Sequence, residues 1–309
     1  QDNCSLTQKQ QNSLTFQSPM TMTPGDLILR LLFVLQTGIG VLGNTFLLLT
    51  YTSTACTGQT PRPTHLILTN LAVANVFFLL FKGIPQIMFI WGVVHTLGNM
   101  GCKLVTYFHR MVRGLSLCTT GHLSSFQAII ISPRTGGWMK LKDAALKNVS
   151  FSCFLCWISN LLINLFVPVH VGALQHSHNA TQIRNFGLCS SSKKHNTFYA
   201  VIYTILMTFP DAVFMGLMLG ASVYMVLLLH RHRQRVRHIH TLSTSHRFSP
   251  EAKATQTILL LATTFIFFYF VNSIFMIYDS AFAKSQLWLY HVTTFLSACY
   301  PMVSPLILM

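Results

Sequence analysis

Charge is scarce in this chain and carboxylates are scarcer still: 9% of its 309 residues are charged, and only 6 are Asp or Glu. A soluble domain of ordinary surface carries about a quarter charged residues, so this chain cannot present such a surface to water. Paired-carboxylate sites, Ser-His-Asp arrangements, phosphate-binding loops and HExxH strings are missing, which excludes the usual enzymatic machinery and calls for no cofactor. No internal repeat stands out, and no pair of Gly-interrupted helices occupies matching positions of two halves, as in many transporters. The opening segment Gln1 to Asp26 is polar and lacks the apolar stretch of a secretory signal. Insertion is therefore expected to depend on the first apolar span.

Apolar sequence takes the place of charge. Hydrophobic residues make up 51% of the chain and the mean hydropathy is +0.50. Seven stretches each hold the roughly 20 residues that cross a hydrocarbon core: Leu27 to Thr52, Leu66 to Trp91, Cys102 to Ile131, Val149 to Val169, Phe198 to His230, Thr255 to Tyr278 and Leu287 to Met309. The predicted architecture is an all-α membrane protein, a seven-transmembrane helix bundle over residues 27–309 behind an extracellular tail, 1–26. In a soluble protein the net charge of +15 would suggest nucleic acid. Here it reads as topology, because short cytoplasmic loops collect Lys and Arg.

With the N-terminus outside, the inner loops hold Arg62, Arg134, Lys140, Lys142, Lys147, Arg231, Arg233, Arg235, Arg237, Arg247 and Lys253. The outer segments hold Lys9, Arg184, Lys193, Lys194 and Lys284, with Arg30 and Lys103 at the outer boundary. The bias predicts an outside N-terminus and an inside C-terminus. Among the 8 cysteines, Cys118, Cys153, Cys156 and Cys299 fall within spans and Cys56 in an inner loop, so no disulfide framework is expected of them. Cys102 and Cys189 both lie on the oxidising side and are expected to pair. Asn179-Ala180-Thr181 in the longest outer loop is a glycosylation acceptor, with Asn3-Cys4-Ser5 a second. Asn148-Val149-Ser150 also fits the pattern but falls at the inner end of the fourth span, where it should stay bare.

The third span reads His109-Arg110-Met111-Val112-Arg113-Gly114-Leu115-Ser116, then Thr119-Thr120 and Leu123-Ser124-Ser125-Phe126-Gln127-Ala128-Ile129, then Ser132-Pro133. With Gly43-Asn44, Val73-Ala74-Asn75, Lys82-Gly83-Ile84-Pro85-Gln86, Phe154-Leu155-Cys156-Trp157-Ile158, Phe209-Pro210-Asp211, the basic run from Leu229 to His240, Ser249-Pro250-Glu251 and Tyr300-Pro301-Met302-Val303-Ser304-Pro305, the chain resembles a vomeronasal type-1 receptor from about residue 33 to the end. The resemblance implies a multi-pass plasma-membrane receptor for pheromone-like small molecules that signals through an inhibitory-class heterotrimeric G protein. Gly121-His122 departs from the Cys-Leu pair expected of the family. The polar N-terminal tail is longer than the resemblance leads one to expect, and no cytoplasmic tail is expected after the seventh span.

Charges inside hydrocarbon cost about 2.5–3.5 kcal/mol at a helix centre even on the mildest scale, so they face the bundle interior and mark functional paths. At about 1.5 Å per residue, Arg110 and Arg113 lie roughly 12 and 16 Å below Cys102, and Lys82 roughly 13 Å below Trp91. His109 adjoins them, and Asp211, roughly 20 Å into the fifth span, is the one carboxylate expected at such depth. The candidate ligand site comprises Lys82, His109, Arg110, Arg113, Asp211, Phe268 and Asn272. An anionic or strongly accepting ligand would suit Arg113, whose guanidinium offers a fork of donors. The competing reading pairs one Arg with Asp211 to hold two helices together.

Asn44 and Asn75 are expected to hydrogen-bond between helices, and the acidic residue that often binds sodium midway along the second span of such receptors is replaced by Asn75. Ser125-Phe126-Gln127 stands where the Asp-Arg-Tyr switch usually lies, so any inactive-state lock must be non-ionic. Gln127, Arg231, Arg233, Arg235 and Arg237 are candidates for contact with G protein and membrane lipids, the lipid contact being worth about 1 kcal/mol per basic residue. No metal site is expected of His230, His232, His238 and His240, which lack a companion carboxylate or Cys. Two alternatives stay open: an anion channel or transporter, and a non-responsive product of gene decay.

Overall fold

The structure is a computed structural model that describes residues 24–56, 63–92, 98–133, 136–173, 183–186, 189–192, 197–239, 250–281 and 287–309. Helices dominate: α1 (Pro24–Cys56), α2 (Pro63–Ile90), α3 (Asn99–Ile131), α4 (Gly137–Lys147), α5 (Val149–Ile163), α6 (Val167–His170), α7 (Thr197–Ile239), α8 (Pro250–Ala281) and α9 (Leu287–Leu308). A 3-10 turn, Asn164–Phe166, joins α5 to α6. The all-α expectation needs one addition, a small antiparallel sheet ordered β1 (Val171–Ala173), β3 (Cys189–Ser192), β2 (Ile183–Phe186). Cys189 sits in its central strand, in register with Ala173 and Phe186.

Hydrocarbon offers no partner to backbone N–H and C=O groups, so a segment that enters it must satisfy them internally, and the helix does so. Six helical stretches are long and apolar enough to cross a membrane: Gly25–Ser53, Pro63–Ile90, Val149–Phe166, Thr208–Arg231, Lys253–Phe275 and Trp288–Leu308. Their outward faces carry Leu42, Phe46 and Leu49 on α1, Phe209 and Val223 on α7, and Phe267 and Phe270 on α8, all exposed. Such a surface suits acyl chains and not water.

The third expected span is the exception. It forms a 33-residue helix, α3, but is not among the six apolar stretches. The reason lies in its position: α3 packs against α2, α5, α7 and α8. A helix ringed by other helices has no need of an apolar circumference. Its buried hydroxyls bond back to carbonyls four residues earlier, Thr119 to Leu115 at 2.7 Å, Thr120 to Ser116 at 2.8 Å and Ser124 to Thr120 at 2.9 Å, which removes the cost of burying them. Leu117 and Phe126 of α3 pack with Leu71, Met218, Leu261 and Phe265 in the largest core cluster among the described residues.

Proline chemistry explains the best-connected polar group. Pro305 has no N–H, so the carbonyl of Pro301, four residues earlier, loses its helical donor. Asn44 Nδ2 donates to that carbonyl at 2.8 Å. Gly43 makes room, since a Cβ there would stand 2.9 Å from Pro305 Cγ. Asn75 Nδ2 then donates to Ser304 Oγ at 2.8 Å and to Asn44 Oδ1 at 3.3 Å, and Ser116 Oγ donates to Asn75 Oδ1 at 2.9 Å. The network joins α1, α2, α3 and α9.

One expectation about cysteine is overturned. Cys118 and Cys156 form a disulfide between α3 and α5, with Cα atoms 6.0 Å apart. Counting spans gives each cysteine a depth but no facing direction, whereas packing α3 on α5 turns these two toward each other. Cys153 and Cys299 are buried thiols. Cys102, at the start of α3, is disulfide-bonded.

Candidate ligand site

A cavity of about 50 Å³ lies between α2, α3, α8 and α9, lined chiefly by Phe78, Arg113, Phe265, Phe268, Asn272 and Tyr300. Helical spacing places its α8 wall: Phe265, Phe268, Tyr269 and Asn272 recur at intervals of three and four and so share one face. Four aromatic rings supply most of the apolar lining on that side and below it, and the carboxamide of Asn272 supplies a polar group. Asn272 Oδ1 is buried and accepts no hydrogen bond.

The upper wall is ionic. Arg113 Nη2 stands 3.2 Å from Asp211 Oδ2. Tyr269 Oη donates to the same oxygen at 3.0 Å, and its ring centroid lies 5.2 Å from the Arg113 guanidinium carbon. Residues from α3, α7 and α8 thus meet at one carboxylate. The fork of Arg113, which sequence offered to an anion, is committed here to Asp211 and to a ring face.

Lys82 and His109 border this cluster. Lys82 Nζ sits 5.6 Å from the centroid of Tyr290, a cation–π contact. The ring of His109 lies 5.1 Å from that of Phe78, and its Nε2 is buried without a partner. Lys82, Arg110 and Arg113 all act electrostatically on His109, and Arg110 is engaged in a contact of its own. All seven sequence-derived ligand candidates therefore fall in one region, but only Arg113, Phe268 and Asn272 line the cavity itself.

Below the cavity Tyr300 Oη shares a 2.9 Å hydrogen bond with Thr120 Oγ1, and its ring meets Phe265 edge-on at 4.3 Å. Near the inner end of α3, Gln127 is buried and its Nε2 donates to Thr255 Oγ1 at 2.9 Å, so in this conformation it faces α8 and not the outside of the bundle. Arg231 is exposed on the extension of α7. The side chains of Arg233, Arg235 and Arg237, on the same helix, lie outside the described residues, as do Asn3 and Asn179. His122 makes a ring contact with Phe126 at 6.4 Å, and its Nδ1 has no partner.

Sequence reasoning missed the roles of Tyr269, Tyr300 and Thr255. Tyr269 stood in a run of aromatic residues that fills more than one helical face, and no local signal separated it from its neighbours.

A sequence profile described as the Vomeronasal organ pheromone receptor family matches residues 27–309. Human vomeronasal type-1 receptor 4 is 42% identical over 274 residues, covering 89% of this chain and 91% of that protein. Human vomeronasal type-1 receptor 3 is 39% identical over 289 residues, covering 93% and 92%. A zebrafish protein, olfactory receptor class A-like protein 1, is 31% identical over 277 residues, covering 89% and 86%. These relatives are receptors and not enzymes. Because the likeness runs through every long helix described above, the chain is a multi-pass membrane protein that belongs to the vomeronasal type-1 receptor family.

Proposed function

We propose that this receptor binds a small organic molecule in the outer half of the bundle, between α2, α3, α8 and α9, and activates an inhibitory-class G protein at its inner face. The observation that carries this reading is the carboxamide oxygen of Asn272, buried without a hydrogen-bond partner in an aromatic cavity beside an ionic cluster. Such a pocket suits a mainly apolar ligand with one polar group, which Asn272 meets. An anionic group on the ligand would be answered by Lys82, whose charge rests on a ring and, among the described residues, on no carboxylate.

The cavity, at about 50 Å³, is far smaller than the roughly 300–1,000 Å³ of typical ligand sites. Binding therefore requires rings such as Phe268 to turn aside or helices to part, which gives the ligand a means of changing the bundle. Below the cavity the path is stoppered by Tyr300 and Thr120 and by the network of Asn44 and Asn75, an arrangement that suits a receptor better than an anion channel.

In this reading α3 is the seventh crossing, the N-terminus lies outside, Cys102 pairs with Cys189, and Asn179 and Asn3 carry glycans while Asn148 stays bare. Nucleotide exchange on an inhibitory G protein, measured with the expressed receptor against neutral volatiles and sulfated steroids, tests the site. Asn272→Ala and Phe268→Ala should each weaken potency about tenfold, equivalent to about 1.4 kcal/mol, at unchanged surface level. Lys82→Gln should weaken responses to anionic ligands only. Responses that survive all three substitutions at full potency would place the ligand elsewhere.

A further inference from the structure

The connection from α3 to α5 folds as the 11-residue helix α4, none of whose residues is buried. Gly136 makes the turn into it with φ +52°, a conformation that glycine adopts without strain. One side of α4 is fastened to the bundle. Trp138 stacks on Tyr224 of α7 with centroids 5.8 Å apart and planes 18° apart, Lys142 Nζ donates to the Ser132 carbonyl, and Ala145 packs against the main core cluster.

The other side is open. Met139 and Leu146, 56% and 43% exposed, are seven residues apart and form one stripe, because seven residues make nearly two helical turns. Lys140 and Lys147, both exposed, repeat that spacing one residue on, so their stripe runs about 100° round the helix from the apolar one. Asp143 falls between the stripes, and neither lysine forms an ion pair among the described residues.

Location decides what this face meets. Only Asn148 separates α4 from α5, whose stretch Val149–Phe166 is apolar enough to cross a membrane. The end of α4 is therefore held within about one residue's rise of the hydrocarbon boundary. At such a boundary an apolar stripe inserts among acyl chains while neighbouring lysines extend to phosphates.

We infer that α4 is a phospholipid-docking surface, in which Met139 and Leu146 enter the bilayer edge and Lys140 and Lys147 hold anionic headgroups. The charge of the exposed stripe selects anionic over zwitterionic lipid. The pinned face, through Trp138 and Tyr224, connects that lipid contact to α7.

The test uses the full-length receptor in nanodiscs of phosphatidylcholine alone or with about 30% phosphatidylserine, a composition that imitates an anionic leaflet. A photoreactive amino acid replaces Leu146, and cross-linked adducts are identified by mass spectrometry with and without G protein. Lipid adducts should form in both discs, and in the mixed disc the ratio of phosphatidylserine to phosphatidylcholine adducts should exceed the bulk ratio by about fivefold for each lysine engaged. The double variant Lys140→Gln and Lys147→Gln should bring phosphatidylserine back to its share without abolishing lipid adducts. Adducts to G protein alone, or phosphatidylserine at its bulk share in the unsubstituted receptor, would overturn the inference. A readout without the bulky probe is amide hydrogen exchange: α4 should exchange more slowly in the mixed discs, and equal rates in the two discs count against the proposal.

Discussion

The hydrogen bond from Gln127 to Thr255 ties α3 to α8 near the inner ends of both helices. The two side chains are 6% and 0% exposed and their polar atoms are 2.9 Å apart. With Ser125-Phe126-Gln127 in place of an Asp-Arg-Tyr switch, this neutral pair is the contact that can hold the inner end closed. A neutral hydrogen bond contributes about 0.5–1.5 kcal/mol net, and a buried donor left without its acceptor costs about 1–3 kcal/mol. Thr255→Val keeps the side-chain volume, removes the hydroxyl and strands Gln127 Nε2. The closed form then loses about 1–2 kcal/mol relative to any form in which α3 and α8 part and water reaches Gln127, a shift of about five- to thirtyfold in their ratio. Gln127→Leu removes the donor but leaves Thr255 a further interaction, so it should shift the ratio less. The assay is ligand-independent nucleotide exchange normalised to surface receptor. Unaltered basal exchange in both variants, with ligand responses and thermal stability intact, would refute the lock.

Three further outcomes follow from the packing. Asp211→Asn leaves Arg113 without its counter-charge and should destabilise the folded receptor by about 1–2 kcal/mol, between the value for an exposed pair and that for a buried one, because the Arg113 side chain is 36% exposed; surface level and melting temperature should fall together, and the exchanged pair Arg113→Asp with Asp211→Arg should recover part of the loss. Asn44→Leu leaves the Pro301 carbonyl only the long 3.4 Å hydrogen bond from Ser304 Oγ and should cost about 1–3 kcal/mol, read as a lower melting temperature in detergent. Gly114→Ala would drive a Cβ into Asn160 Oδ1, and this overpacking should cost about 1–3 kcal/mol, with Gly38→Ala, where nothing lies within 4 Å, as the tolerant control.

The six apolar helices were legible from hydropathy, since the bilayer imposes length and composition on each segment independently of its neighbours. The third expected span, read as apolar with the others, differs from them in the structure: its surroundings are protein, and the solvent rule that makes the other spans apolar does not act on α3. The expectation that Lys82, Arg113 and Asp211 lie close together comes from depth, and that for Phe268 and Asn272 from their spacing of four on one face of α8. The partner of Arg113 was left open between ligand and Asp211, because depth says nothing of azimuth. Cys118 and Cys156 show the same gap more sharply, since their depths gave no sign of a bond.

The sequence by itself determined that the chain threads a membrane, which residues bury charge, and which family it belongs to, because transfer free energy and local motif are properties of segments. Tertiary structure decided which partner each buried polar group has: Asp211 for Arg113, the Pro301 carbonyl for Asn44, Thr255 for Gln127, and Cys156 for Cys118. Those pairings depend on how each helix is rotated about its axis against its neighbours, a variable fixed by the packing of side chains on several helices at once and by no single stretch of chain.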